Sequence, residues 1–296
     1  MPYRSFGALC DVVEGFTGIT TAGAALVHVI AGYNRVLAGL DPRDNRVHKW
    51  SFLAPVSWLT IAENVTGTAT GVYNAGTDTT TITATTAIFT PEQVGTDITV
   101  ATLAAALPIA SYTSTTIVVA TGGEDFSGKA VSLPHHGFYD LPTDFAGLVE
   151  PPVYPWPNTA RTATLTAAPY EVFDRWRQGH YTGVPKRFAV LAKAQVSGAK
   201  QTWCLTVDPH PDADYIIRYR YQADPATPTD ASDKYPVGGA FMDVAYEYAA
   251  LADAELKLQH TSSRMETRFQ QHMVACIDDD SAFYENFGPV SMADAE

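Results

Sequence analysis

The run Thr79-Thr80-Thr81-Ile82-Thr83-Ala84-Thr85-Thr86 lies in a segment whose composition differs from the rest of the chain. Threonine is β-branched, and its restricted side chain favours extended strands. No Lys or Arg occurs between Lys49 and Lys129, and Gly-containing clusters punctuate this interval like turns. Because the composition changes abruptly at both ends, we predict that residues 56–131 form a small inserted all-β domain. Its candidate strands are Thr79 to Phe89, Asp97 to Ala101 and Thr115 to Ala120.

A helix is predicted before this insertion, with Thr20 or Thr21 as its N-cap and Asp41-Pro42 as its end. Apolar residues at spacings of three and four predict its buried face: Leu26, Ile30, Tyr33, Leu37 and Leu40. Residues 47–53 are predicted to form a short strand that leaves the helical part.

Strands and a long helix are predicted after the insertion, beyond a Pro-rich extended segment at residues 134–157. The strands are Thr162 to Thr166, Arg187 to Ala194, Gln201 to Val207 and Tyr215 to Gln222. The helix has an apolar stripe of Phe241, Val244, Tyr248, Leu251 and Leu256, and a possible restart at Ser263 opens a second stripe of Met265, Phe269, Met273 and Ile277. Five large side chains are expected in the core: Trp50, Phe52, Leu141, Phe145 and Phe188.

The predicted fold class is α+β, with the N- and C-terminal helices packed together and joined to antiparallel strands. We assign residues 1–55 and 132–296 to one core domain and residues 56–131 to the inserted Thr-rich β-domain.

The bulk properties narrow the possible functions. Hydrophobic residues make up 46% and charged residues 17% of the 296, which supports packed cores and argues against disorder. The net charge of -13 repels nucleic acid at long range, so sequence-specific DNA binding is not expected. Three scattered cysteines predict synthesis in a reducing cytoplasm. The most apolar stretch, residues 22–33, is short of the roughly 20 residues that span a bilayer, so no membrane segment is expected.

Three groups of residues are candidates for a chemical site. Gly123 to Ala130 nearly matches a phosphate-binding loop, but Ala130 cannot ligate magnesium and the following residues look extended, which favours a turn between strands. The alternation of Asp208, His210, Asp212 and Asp214 could present ligands to a metal, but nearby prolines favour a hairpin turn. Because adjacent histidines on extended chain point opposite ways, His135-His136 is interpreted as a solvated loop. We therefore predict no catalytic residue, no cofactor and no metal site.

The C-terminal segment is the candidate interaction site. Its acidic run is interpreted as a solvated helix end or as part of an interface or channel wall. The aromatic residues after it are expected to dock on a partner or to pack on the long helix itself. The candidate interface residues are Asp278, Asp279, Asp280, Phe283, Tyr284 and Phe287.

Several stretches, in their order and spacing, carry a resemblance to a known family. They are His48-Lys49-Trp50-Ser51-Phe52-Leu53-Ala54-Pro55, Tyr139-Asp140-Leu141-Pro142-Thr143-Asp144-Phe145, Gly183-Val184-Pro185-Lys186-Arg187-Phe188-Ala189, and Leu205 through Asp208-Pro209-His210-Pro211-Asp212 to Tyr215 and Tyr219. Together they resemble the head–tail connector, adaptor or head-completion proteins of tailed bacteriophages. The inserted domain is similar to those of some such proteins at Phe89, at residues 94–98 and at residues 109–114.

The resemblance implies a structural, non-enzymatic virion protein in the neck, at the head–tail junction. It implies a homo-oligomeric ring, expected to be dodecameric, that docks on the portal protein and carries a tail, nozzle or tail-terminator protein. DNA would pass through its channel without sequence-specific binding. Contrasting charge on the inserted domain and on residues 161–220, which hold nine Lys or Arg against five Asp or Glu, could set head-to-tail contacts between neighbours.

A different class of function stays open from the sequence. The β-domain could be a receptor- or carbohydrate-binding module of a decoration or fibre protein. Such sites usually combine exposed aromatic rings with polar groups, and the candidates within the domain are Trp58, Tyr73 and Tyr112. A stable glycan-binding monomer or trimer would favour this alternative, whereas a large ring would favour the adaptor.

Overall fold

The computed structural model describes the chain except for residues 1–3, 19–20, 22, 156–163, 178–181, 196, 230–233, 260–263 and 288–296, and it leaves out the side chains of residues 174–177, 259 and 283–287. Contacts divide the chain into two compact units, which are residues 1–55 with 221–296, and residues 56–220. The first is mainly helical and the second is mainly β.

Five α-helices occur in the described part: α1 (Phe6–Thr17), α2 (Ala24–Leu37), α3 (Tyr170–Arg177), α4 (Asp243–Gln259) and α5 (Arg264–Phe287). The described strands are β1 (Val56–Ile61), β2 (Asn64–Asn74), β3 (Thr79–Ala84), β4 (Asp97–Val100), β5 (Leu107–Ser114), β6 (Ile117–Thr121), β7 (Phe126–Pro134), β8 (Phe138–Asp140), β9 (Phe145–Leu148), β10 (Thr166–Ala167), β11 (Arg187–Ala192), β12 (Trp203–Asp208) and β13 (Tyr215–Ala223). The α+β class is confirmed. None of these helices combines the length and the hydropathy needed to cross a membrane.

Helix α1 was not predicted, although its sequence carries the usual signals. The Ser5 hydroxyl accepts a hydrogen bond from the Ala8 N–H at 3.3 Å, and Gly18 ends the helix in the left-handed conformation. Its buried residues recur at helical spacing: Phe6, Leu9, Cys10 and Val13. Phe6 packs edge-on against Tyr33 of α2, so this helix belongs to the core of the helical unit.

The crossing of α2 and α4 depends on small residues, and the predicted faces of both helices were partly wrong. Tyr33 is buried as predicted, but Leu40 is exposed. The N-cap of α2 is Gly23 rather than Thr21, and Thr20, the other predicted N-cap, lies outside the described residues. A Cβ atom added to Gly32 would lie 2.5 Å from the Ala250 nitrogen, so the two backbones are in direct contact. Large residues cannot occupy such a contact, and Ala249 and Ala250 supply the α4 side of it. Three further alanines of α4 are buried: Ala245, Ala252 and Ala254.

The predicted apolar stripes of α4 and α5 and the strand predicted at residues 47–53 were only partly correct. Phe241 and Leu256 are exposed, which contradicts their place in the predicted stripe, whereas Phe269, Met273 and Ile277 of α5 are buried as predicted. Helices α4 and α5 are separate, as predicted, because Tyr248 of α4 stacks on His272 of α5 at 5.0 Å, whereas the proposed restart at Ser263 lies outside the described residues. Residues 47–53 do not form a strand: Val47 makes a single bridge to Leu40, and Ser51–Leu53 is a 3-10 turn.

Six strands close into a barrel in the order β2-β3-β6-β5-β4-β7, which confirms a small all-β domain. On β3, Thr80, Ile82 and Ala84 point inward while Thr81 and Thr83 point to solvent, so threonine serves both faces. The pairing of β2 with β7 shifts register next to Gly71, where an added Cβ would overlap the ring of Phe126. Strands β3, β4 and β6 match the predicted ones, whereas β2, β5 and β7 were not predicted.

Two smaller sheets complete the second unit. Their strand orders are β1-β13-β9 and β10-β11-β12-β8, and three of the four later strand predictions correspond to β11, β12 and β13. Of the predicted Thr162–Thr166 strand, residues 162 and 163 lie outside the described residues, Thr164 makes a single bridge to Val153, and Thr166 begins the short strand β10. Of the five expected core side chains, Trp50, Leu141, Phe145 and Phe188 are buried, and Phe52 is partly buried.

We expect Gly32→Ala to lower the free energy of unfolding by about 1–3 kcal/mol, because the new methyl group forces α2 away from α4. Gly15→Ala is the matched control, since a Cβ at this exposed position of α1 meets nothing within 4 Å. It should raise stability by roughly 0.5–1 kcal/mol through helix propensity. Urea unfolding followed by circular dichroism measures both effects, and equal values for the two variants would contradict the close crossing.

That the rest of the chain folds without the inserted domain stays a prediction. The barrel can be removed in one piece to test it. The His135 N–H donates to the Glu63 carbonyl at 2.9 Å, so the two chain ends that flank residues 64–134 are already adjacent. Joining them through one or two glycines should leave a protein that unfolds cooperatively with unchanged helix content. A broad, non-cooperative transition would show that the barrel is required for the rest to fold.

Candidate functional site

The acidic run lies within α5, not at its end as expected. Helix α5 continues to Phe287, about two turns beyond Asp280. The first helix-breaking residues in the sequence come only afterwards, at Gly288 and Pro289. The three carboxylates therefore occupy different faces of a continuing helix and have different environments.

Asp280 is buried, with 3% of its surface exposed. One oxygen accepts hydrogen bonds from the Ser51 N–H at 3.0 Å and from His48 Nε2 at 2.8 Å, and the other accepts from the Ser51 hydroxyl at 2.5 Å. A buried carboxylate needs several donors to offset its lost hydration, and these three supply them. We call His48 and Ser51 the Asp280 socket.

Trp50 holds in place the backbone segment that carries His48 and Ser51. Its indole N–H donates to the Val36 carbonyl at the end of α2, at 3.0 Å, and His48 packs edge-on against its ring at 4.8 Å. The segment 48–51 is thus attached to α2 on one side and to α5 on the other. Nothing in the sequence pattern pairs Asp280 with Ser51, because 229 residues separate them.

Two exposed ion pairs extend the attachment of α5. Arg43 donates to Asp278 at 2.8 Å and is also held by Asp41, and these carboxylates raise its pKa. Arg35 donates to both oxygens of Glu266 at 2.5 and 2.6 Å, and this hydrogen bonding lowers the pKa of Glu266. Surface pairs of this kind contribute up to about 1 kcal/mol each, so the buried Asp280 dominates the attachment.

Of the four remaining candidate interface residues, the structure describes the side chain of Asp279. Asp279 is exposed to solvent. Phe283, Tyr284 and Phe287 occupy the last turns of α5, and their side chains lie outside the described part of the structure. Burial, together with the charges of Asp279 and Asp280, raises the pKa of Cys276 to about 11, which keeps its thiol protonated.

The two histidines after β7 do not diverge as expected. Their ring centroids are 4.3 Å apart, and His135 stacks on Tyr139 at 4.2 Å. The bend at Gly137 allows this, because its N–H donates to His135 Nδ1 at 3.0 Å. Burial, reinforced by His136 and His210, lowers the pKa of His135 to about 3, so its imidazole is neutral at physiological pH.

The Asp- and His-rich segment after β12 is a turn whose polar groups have separate structural partners. His210 Nε2 lies 2.7 Å from the His135 carbonyl, Asp212 accepts from the Tyr215 hydroxyl at 2.6 Å, and Asp214 accepts from the Glu63 N–H at 3.0 Å. Within the described residues, no group of three His, Cys, Asp or Glu is arranged to hold a metal.

The near-match to a phosphate-binding loop is a connection between β6 and β7. Residues 126–134 form a strand, so no helix N-terminus faces the loop, as predicted. The positive φ of Gly123 positions it against Thr80, whose hydroxyl donates to the Gly122 carbonyl.

Removing the socketed carboxylate tests its role. We expect Asp280→Ala to lower the free energy of unfolding by about 3 kcal/mol, because it leaves the donors of His48 and Ser51 unsatisfied. The neighbouring substitution Asp279→Ala should change it by less than about 0.5 kcal/mol, since that side chain is exposed. Urea titration of both variants measures the difference, and equal stabilities would contradict the socket.

Comparison with known proteins identifies the family of the chain. A sequence model of one family, described as SU10 adaptor protein, matches residues 97–292, from β4 of the barrel to the end of α5 and beyond. No curated protein matches the chain. Since the match covers about two thirds of its length, the chain belongs to the SU10 adaptor family of bacteriophage head–tail adaptor proteins.

Proposed function

We propose that the chain is one subunit of a homo-oligomeric ring that joins the portal protein of the phage head to the tail. The resemblance to head–tail connector proteins implies that the ring has twelve subunits. The family match over residues 97–292 carries this proposal. A structural role as a virion adaptor follows from the family itself, whereas the ring, the portal contact and the DNA channel are proposed here. The location would be the neck of the virion, with a tail, nozzle or tail-terminator protein on the distal side.

The charges of the subunit suit a channel through which DNA slides. The net charge is -13, and three described arginines of the helical unit are already paired with carboxylates: Arg4, Arg35 and Arg43. Each free cation on a channel wall would add a phosphate contact that retards DNA, so a wall of paired cations and carboxylates is weakly adhesive.

The end of α5 is the proposed portal-binding device. The Asp280 socket fixes the position of α5 within the helical unit. The last two turns of the helix, which follow Asp280, are therefore held in place by this contact. Asp278 and Asp279 add charge at the start of the segment, and Phe283, Tyr284 and Phe287 supply aromatic groups of the kind that dominate binding energy at interfaces. We propose that these residues order against the portal or a neighbouring subunit.

The alternative role in receptor or carbohydrate binding has no specific observation in its favour. Trp58 lies on β1, outside the barrel, while the Tyr73 hydroxyl donates to Asp78 at 2.9 Å. Tyr112 packs against the barrel core. These three aromatic side chains therefore form no common platform for a sugar.

Truncation after Ala282 tests the portal contact while keeping Asp280 in its socket. We expect the truncated protein to retain its thermal midpoint but to lose at least about tenfold in affinity for portal rings, since aromatic anchors commonly carry 2 kcal/mol or more. Sedimentation with purified portal rings measures the binding.

A full-length variant with Phe283, Tyr284 and Phe287 changed to Ala is the matched control for the loss of backbone. It should bind as weakly as the truncated chain if the aromatic groups provide the contact. Unchanged assembly of both variants on portal rings would show that another surface makes the attachment.

A further inference from the structure

One face of the β1-β13-β9 sheet is apolar yet open. Trp58 is 57% exposed, and Val56 and Ile216 are each about half exposed. Trp58 is the direct cross-strand partner of Arg218, which is exposed as well. Alternation along the two strands puts all four side chains on one side of the sheet. We call these four residues the Trp58 face.

The opposite side of the same sheet already provides the core. Ile61, Ile217 and Tyr219 are buried there. An antiparallel sheet with one buried face normally presents polar side chains on the other. The Trp58 face instead presents large apolar groups, which on a soluble protein mark an interaction surface.

Two polar groups of the Trp58 face have no counterpart in the described part of the chain. No described acceptor lies within hydrogen-bonding distance of the Trp58 indole N–H, and no described carboxylate pairs with Arg218. The neighbouring Arg220 differs, because it donates to Glu150 at 3.1 Å. A Trp beside an uncompensated Arg is the composition that interface hot spots favour, and its partner should be acidic and partly apolar.

The barrel carries a surface of that complementary kind. Asp78 accepts from the Tyr73 hydroxyl at 2.9 Å and Asp125 accepts from the Tyr73 N–H at 2.7 Å, which draws both carboxylates to one end of the barrel. Glu124 is exposed beside Asp125, and Val72 is exposed on the outer side of the same strand end. No described cation pairs with these carboxylates. We call Asp78, Glu124 and Asp125 the acidic rim.

We propose that the Trp58 face of one subunit docks on the acidic rim and Val72 of a second copy of this chain. The two surfaces differ, so the contact is head-to-tail, and repeated head-to-tail contacts close into a ring when the rotation permits. The inference rests on the ring proposed above and identifies the surfaces that would form it. Apolar contact with Trp58 supplies the affinity, and pairing of Arg218 with the rim selects the orientation.

Charge exchange on the full-length chain tests the pairing. Trp58→Ala and Arg218→Glu should each weaken self-association by about tenfold or more, measured by sedimentation velocity alone and with portal rings. Adding Glu124→Arg to Arg218→Glu should restore most of the lost association, because each interface regains an opposite-charge pair. Val27→Ala and Arg46→Glu, at exposed positions of the helical unit, are the matched controls and should assemble normally.

A disulfide experiment covers the case of weak association. Arg218→Cys combined with Glu124→Cys should give a ladder of covalent oligomers on mild oxidation, because each copy links to two neighbours. The three native cysteines are buried and do not compete. Arg46→Cys combined with Glu124→Cys should give no ladder.

The outcomes separate this inference from the proposed function. If the parent chain assembles and both Trp58→Ala and Arg218→Glu assemble equally well, the Trp58 face is not the interface and the ring stands. Failure of the charge exchange together with no disulfide ladder rules out the acidic rim as the partner. Loss of monomer stability in Trp58→Ala without loss of assembly would mean that the chain itself covers the face. If the parent chain forms no oligomer alone or with portal, the ring is wrong as well.

Discussion

A carboxylate taken out of water needs donors that fully replace its hydration, and this requirement connects the two ends of the helical unit. Asp280 meets it only when Ser51 and His48 surround it, because α5 itself offers no backbone N–H to that side chain. The socket stands five residues before the chain enters the β unit at Val56. Residues 48–51, which precede the β unit in the sequence, and the C-terminal helix are therefore fixed against each other within the helical unit.

Close packing of backbones makes that arrangement rigid. Gly32 lies directly against Ala249 and Ala250, so α2 and α4 approach as near as two helices can. Tyr33 then reaches over the crossing to stack on Tyr246, and α1 covers Tyr33 through Phe6. A core built this way is sensitive to the size of its smallest residues rather than of its largest.

These contacts also explain which elements the sequence predicted. The Thr-rich alternation of β3 predicted a β-domain because a period of two is a local signal, and the capping pattern at Ser263 predicted that α4 and α5 are separate helices. Strands β2 and β7 were missed because Gly67 and Gly71 of β2 and Gly128 of β7 weaken the apolar alternation. An added Cβ would contact Ile88 at Gly67 and overlap the Phe126 ring at Gly71, and Gly128 has a positive φ. The buried alanines of α4 were missed because hydrophobic periodicity gives most weight to large residues. The contact of Asp280 with Ser51 was missed because no local pattern relates two residues that are 229 positions apart.

Charged side chains that are paired within the subunit stabilise its structure, whereas unpaired ones are candidates for contacts with a partner. Arg35, Arg43 and Asp280 are satisfied within the subunit and hold α5 in place, so they have little left to offer a partner. Arg218 and the acidic rim have no such compensation among the described residues, although each stands beside apolar surface. In the proposed ring, through which DNA would slide, unpaired charge is best placed where a neighbouring subunit would neutralise it. The proposed docking would accordingly place the Arg218 guanidinium in a contact between proteins, where it is not available to the phosphates of passing DNA.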